Sequence, residues 1–289
     1  MASTSFPGSP RRRRCTSEWF PPPPSTRRAD LHRLLAYSGY SYAQIPWRPV
    51  FAGISVAIVL ALLLIAWVLL RRHPGRPDSR WCLPAAVLVG MALTGPMGPV
   101  NSAFQEAAAS LPSVVFYAIS PFPEETAKLL LVLAAVSAFA PVSRRIEVAV
   151  VGMAVGAGFF IAETMSFAAI AAATDLQSDF ADGTLTYAVR LIMSPFAHAL
   201  YTGLATWGLG ALLCRTDRSL SWRLQRVAGW FLLAVCVHGA FNASSELPGA
   251  AGLIAMVVTV VASWCLLVWC YRRSRAVGAD AATESHTSR

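Results

Sequence analysis

From Val50 to Leu70 the chain carries no charged side chain, and the run stops at Arg71-Arg72. A helix needs about 20 apolar residues to cross a bilayer. Further apolar stretches follow: Leu83 to about Val100, interrupted by Gly95, Pro96 and Pro99; Ala103 to Ser120, which carries Gln105, Glu106 and Pro112; Glu124 to Ala140; Val148 to Ala173; Leu185 to Leu213; Val227 to about Ser244; and Gly249 to Tyr271. In lipid every backbone polar group must be bonded within the protein, and these runs are too long for barrel strands. The expected fold is therefore all-α, a polytopic integral membrane bundle of seven or eight transmembrane helices.

Composition agrees. Hydrophobic residues make up 55% of the 289 and charged residues only 13%, about half the charge of a soluble domain. Such a chain cannot cover a water-exposed surface, which excludes a secreted or cytosolic enzyme. The net charge of +9 comes from 23 arginines and a single lysine, clustered outside the apolar runs. That is the pattern of cytoplasmic loops in membrane proteins, not of a nucleic-acid groove.

Three regions follow. Residues 1–48, with Arg11 to Arg14 and Pro21 to Pro24, read as a disordered basic tail lying near anionic headgroups. Residues 49–273 form the membrane core, and 274–289 read as a disordered cytoplasmic tail. The N-terminus lacks the apolar core and small-residue cleavage site of a signal peptide. The six cysteines (Cys15, Cys82, Cys214, Cys236, Cys265, Cys270) show no finger spacing and suit small apolar positions.

Loops 141–147 and 214–226 and the flank at Arg272, Arg273 and Arg275 are rich in arginine. Loops 174–186 and 245–248 hold acids instead: Asp175, Asp179, Asp182 and Glu246. The first set and the C-terminus should face the cytoplasm of a cell-membrane protein. If 103–120 spans, the arginines of 71–80 lie outside; if it is re-entrant, the basic N-tail does. Each arrangement breaks the charge rule once, and both put the start of the Glu124 helix at the outer face.

An ionisable group inside a span costs about 2.5–3.5 kcal/mol on translocon scales and usually faces the bundle interior. Here they are Glu124, Glu125, Lys128, Glu163, Arg190, His198 and His238, joined by Asn242. Pro121 and Pro123 suit a helix start, and two glutamates in the first turn interact well with its positive end. Glu124 and Lys128 share a face, four apart. A helix N-terminus accounts for the glutamates but not for the chain's sole lysine one turn into the membrane. Glu163 follows a Gly156-Ala157-Gly158 segment that permits close helix approach, and His238 and Asn242 lie four apart on one face. Arg190, within two turns of its span's outer end, is expected to snorkel. Carboxylates and imidazoles at similar depth can activate a water, hydrogen-bond an oxyanion, or hold zinc, although no HExxH spacing is present.

Glu124-Glu125-x-x-Lys128, Phe159-x-x-x-Glu163, His198 with Gly203, and His238-x-x-x-Asn242, in that order, resemble the PrsW family of intramembrane proteases over about 120–243. The related CAAX prenyl-protease enzymes usually have His where this chain has Glu163, which favours the PrsW type. The resemblance implies cleavage of a membrane-bound protein near the outer face, in the best-known case an anti-sigma factor. Glu124 would then be the general base, supported by Glu125. Glu163 and His198 would position the water or, with His238, bind a metal such as zinc. His238 and Asn242 would stabilise the oxyanion, and Lys128 would hold a carboxylate ionised. The resemblance leaves a metal mechanism and a glutamate-activated water both open. Two other readings stand beside it: a proton-coupled transporter using Glu163 and the histidines as a relay, and a non-catalytic relative that binds a membrane partner.

Overall fold

The computed structural model describes residues 49–139, 142–174 and 179–287, so the expected basic tail over 1–48 lies outside the described residues. Among these described residues nine helices follow one another: α1 (Pro49–Arg71), α2 (Cys82–Ala107), α3 (Ser113–Ile119), α4 (Pro121–Phe139), α5 (Arg145–Thr174), α6 (Asp179–Met193), α7 (Ala197–Cys214), α8 (Leu220–Ser244) and α9 (Gly249–Thr287). Among the described residues there is no strand. Five helices of the described residues, α1, α2, α5, α8 and α9, are long and apolar enough to cross a membrane. α4 and α7 fall short because buried polar groups dilute their hydropathy: Glu124, Glu125 and Lys128 on one, His198, Thr202 and Thr206 on the other.

The bundle is built around α5 and α7. Of the apolar stretch of α5, 83% is inside the protein, against 0% for α9. Leucines and valines of α1 and α9 point outward instead, as with Leu60, Val257 and Val258. An apolar outer face suits lipid, not water. Lipid tails are as apolar as leucine, so burial does not drive these helices together; close packing over small residues does. A methyl group on Gly156 of α5 would run into the backbone carbonyl of His198 and the Cα of Ala199 on α7. A side chain there would force α7 away.

Four boundaries differ from expectation. The run from Leu83 is not broken at Gly95, Pro96 or Pro99; α2 continues through both prolines to Ala107. Proline removes one helical hydrogen bond, and in membrane helices neighbouring groups and local adjustment re-satisfy the freed carbonyl. The ambiguous segment 103–120 resolves into the end of α2 and the seven-residue α3. At 1.5 Å per residue α3 is about 11 Å long and cannot cross. The run Leu185 to Leu213 is two helices, α6 and α7, separated at Ser194-Pro195-Phe196, and Phe196 takes φ 52°. Proline disfavours the α conformation at the residue before it, and the left-handed residue redirects the chain. α9 also continues to Thr287, past the 273 boundary drawn for a tail.

The arginine-rich segments gather at one end. His73 Nε2 lies 2.8 Å from Ser274 Oγ, and Tyr271 donates to the Leu69 carbonyl at 3.0 Å. Arg145 donates to the Trp207 carbonyl, and Arg223 to that of Leu212. The turn 72–81 therefore shares its face with the start of α5, the α7–α8 turn and the lower part of α9. Of the two arrangements left open at the front end, this is the one in which 103–120 does not span. At the α7–α8 turn Ser219 caps α8, its hydroxyl accepting from the Trp222 N–H at 3.3 Å.

Candidate active site

Measured along each helix from the arginine-rich end, Glu163 lies about 27 Å above Arg145, His238 about 27 Å above Leu220, His198 about 24 Å above Cys214 and Glu124 about 22 Å above Phe139. Four helices that approach in alternating directions thus deliver their polar groups to one level. The prolines at 121 and 123 start α4 at that level, which places Glu124, Glu125 and Lys128 in its first two turns.

Lys128 is the hub. Its Nζ lies 2.5 Å from Glu124 Oε1, 3.0 Å from Glu125 Oε1 and 2.9 Å from His198 Nδ1. The same ammonium stands 4.0 Å from the centroid of the Phe159 ring, an attractive cation–π contact in a dry site. Lys128 and Glu125 are completely buried. A charge so buried survives only with partners, which accounts for the lysine that a helix N-terminus alone leaves unexplained. Its compact charge on a flexible stem can take three separate acceptors, where a planar guanidinium favours one carboxylate.

His198 joins two carboxylates: Nδ1 is 3.3 Å from Glu124 Oε1, and Nε2 is 2.9 Å from Glu163 Oε2. His238 Nδ1 is 3.0 Å from Glu125 Oε1. The two imidazoles meet edge to face with centroids 4.9 Å apart. Asn242 stands one turn beyond His238 and donates to Ser120 Oγ at 3.4 Å, near the junction of α3 and α4. All seven residues expected to form a site are therefore brought to one region.

A cavity of about 410 Å³ opens on this cluster, within the about 300–1,000 Å³ range of ligand sites. Glu124, Glu163, His198, His238 and Asn242 line it; Glu125 and Lys128 stand behind its wall. Gln105, Tyr117 and Ser245 border it where α2, α3 and α8 end.

Two residues gain a place that sequence reasoning did not give them. Arg190 does not snorkel: it turns inward, its Nη2 bonding Glu163 Oε2 and its Nε donating to Thr164 Oγ1 at 3.3 Å. An arginine facing a half-buried carboxylate gains more there than at the interface, and the paired depth of Glu163 and Arg190 on adjoining helices was the available signal. Tyr201 stacks on the His238 ring at 4.5 Å and 16°, and meets His198 edge-on at 5.8 Å. Its position three residues after His198, on the same helix face, was legible.

One ligand-type atom from each of Glu124, Glu125, His198 and His238 falls within 4.8 Å of the others. Glu163, expected among the metal ligands, is outside that group and bonds the far nitrogen of His198 instead. Two carboxylates and two imidazoles form a donor set that zinc accepts. Glu125 Oε2 is buried without a hydrogen-bond partner, a lone pair that a cation would satisfy. With Glu124, Glu125 and Glu163 ionised and both imidazoles neutral, Lys128 and Arg190 leave the cluster with one negative charge unbalanced. The residues present fit a divalent metal, although the Lys128 ammonium already bonds three of the same four side chains and would compete with it.

A family model described as PrsW family intramembrane metalloprotease matches residues 78–268. The comparison with curated proteins and that with solved structures give no match.

Proposed function

Since the chain belongs to the PrsW family of intramembrane metalloproteases, we propose that the Glu124–His198–His238 cluster hydrolyses a peptide bond of a membrane-bound protein close to the outer membrane face. The observation carrying this reading is the division of the cluster by the cavity wall: Glu124 and both histidines face the space a substrate would occupy, while Glu125 and Lys128 brace them from behind.

Glu124 is the general base. It takes a proton from a water, whose oxygen attacks the scissile carbonyl carbon. Asn242 on the same wall donates its amide N–H to the oxyanion that forms, beside His238, whose Nε2 adds a second donor when the ring is doubly protonated, since its Nδ1 proton is turned to Glu125. Collapse breaks the C–N bond, and the proton held by Glu124 passes to the departing amine. Lys128 keeps Glu124 ionised in a site poor in water. Glu163, itself held by Arg190, fixes the orientation of His198, as an outer carboxylate does for a metal-binding histidine. A divalent metal would be held by Glu124, Glu125, His198 and His238, and when bound would polarise the carbonyl and make the water more acidic.

The same reading assigns seven crossings: α1, α2, α4, α5, α6 with α7, α8 and α9. The arginine-rich end, with the C-terminus, faces the cytoplasm, so the cluster lies in the outer half of the membrane. A substrate of the anti-sigma-factor kind, cut on its extracytoplasmic side, suits that depth.

Membranes from cells producing the wild type or Glu124→Gln test the reading by mass spectrometry of protein termini. New termini on single-span proteins, at sites near the outer face, are expected with the wild type alone. Identical termini in both, or proton-driven uptake by the purified protein, would overturn it.

A further inference from the structure

Away from the polar cluster, a second cavity of about 520 Å³ opens between α1, α5, α7 and α9. Its walls are Ala66, Leu70, Met153, Ala199 and Leu267, and its rim at the arginine-rich end is formed by Arg272 and Arg275. Both arginines are exposed, and among the described ion pairs neither meets a carboxylate. The hydrogen bonds of Tyr271 to the Leu69 carbonyl and of His73 Nε2–H to Ser274 Oγ fix that rim against α1 and the turn after it. At its deep end lie Ala157, about 18 Å above Arg145 along α5, and Phe196 of the α6–α7 break.

Half of a hydrocarbon core of about 30 Å is about 15 Å. The cleft therefore runs from the headgroup level to near the bilayer centre, the depth of one acyl chain in one leaflet. An apolar slot of that length, ending at two arginines that meet no carboxylate among the described residues, matches one kind of molecule. We propose that this cleft binds an anionic glycerophospholipid, one acyl chain against α1, α5 and α7 and the phosphate at Arg272 and Arg275. The site is independent of the hydrolytic reading. Its inner wall includes Ala199, the neighbour of His198, so a bound chain supports the start of α7 from behind.

The test uses the full-length protein purified in detergent, offered dioleoyl phosphatidylglycerol or dioleoyl phosphatidylcholine, with bound lipid counted by native mass spectrometry. Two arginines near a headgroup predict roughly thirtyfold tighter retention of the anionic lipid. Arg272→Gln with Arg275→Gln removes the preference, whereas Arg218→Gln with Arg226→Gln, an equal change of charge on the same end, leaves it. Ala66→Phe, which fills the slot below the arginines, abolishes retention of either lipid. Equal retention of both lipids by the wild type, a preference surviving in the Arg272/Arg275 variant, or equal loss in the two arginine pairs overturns the site.

Discussion

His198 Nε2 lies 2.9 Å from Glu163 Oε2, and that same oxygen takes the guanidinium of Arg190. One carboxylate thus couples α6 to the imidazole that α7 presents at the cavity. Because Nε2 is engaged there, Nδ1 is the atom of His198 that faces Glu124 and Lys128. Replacing Glu163 by Gln should lower the cleavage rate about 10- to 100-fold, the usual cost of removing an outer partner of an active histidine. Arg190→Gln should do less, and the double variant should show less than the sum, since both act on one oxygen. Purified-enzyme kinetics with unchanged melting temperatures check this; additive losses would separate the two residues.

Metal content distinguishes the two ligand sets. If Glu124, Glu125, His198 and His238 hold the ion, His198→Ala or His238→Ala removes bound zinc, whereas Glu163→Ala retains it with weaker affinity. Elemental analysis of the purified variants after equilibration with zinc gives the answer. Loss of zinc in Glu163→Ala as complete as in His198→Ala would return Glu163 to the ligands.

Two glycines offer a packing test. A methyl at Gly156 meets the His198 carbonyl, while one at Gly229 of α8 meets nothing within 4 Å. Gly156→Ala should destabilise by about 1–3 kcal/mol or more, as overpacking does. Gly229→Ala should be neutral or stabilising by up to about 1 kcal/mol, the helix preference for alanine. Melting curves in one detergent compare them directly, and a neutral Gly156→Ala would contradict the close α5–α7 contact.

His73, in the turn after α1, accepts from the Gly75 N–H at Nδ1 (3.0 Å), so its proton sits on Nε2 toward Ser274 Oγ. Burial, then Arg275 and Arg144, push the imidazole down from 6.5 to about 4. The folded state favours the neutral ring. Its contribution to stability is therefore present above pH 6.5 and is lost as pH falls toward 4. Wild type should lose more thermal stability over that window than His73→Gln; equal slopes would show that the Ser274 contact does not depend on the neutral ring.

The membrane bundle was legible in the sequence because lipid admits few alternatives: a long uncharged run has to be a helix. The level of Glu124, Glu163, His198 and His238 followed from helical rise once loop charges fixed direction. Proline was less legible. Pro96 and Pro99 remain inside α2 while Pro195 follows the end of α6, a difference that no local pattern records. Arg190 was misplaced for a related reason. An arginine near a span end can reach water or an inward carboxylate, and the choice belongs to the facing helix. The partition of Glu124 from Glu125 by the cavity wall depends on the rotation of α4 about its axis, which adjacent residues in a sequence cannot fix.

The central claim is that Glu124 activates the hydrolytic water. Its most direct test is single-turnover cleavage, in proteoliposomes, of a single-span substrate identified from the new termini, by purified wild type and Glu124→Gln. The account predicts that the variant folds, inserts and binds the substrate while its cleavage rate falls by about 10²–10⁴, the contribution of a general base. Cleavage by Glu124→Gln at the wild-type rate would contradict it.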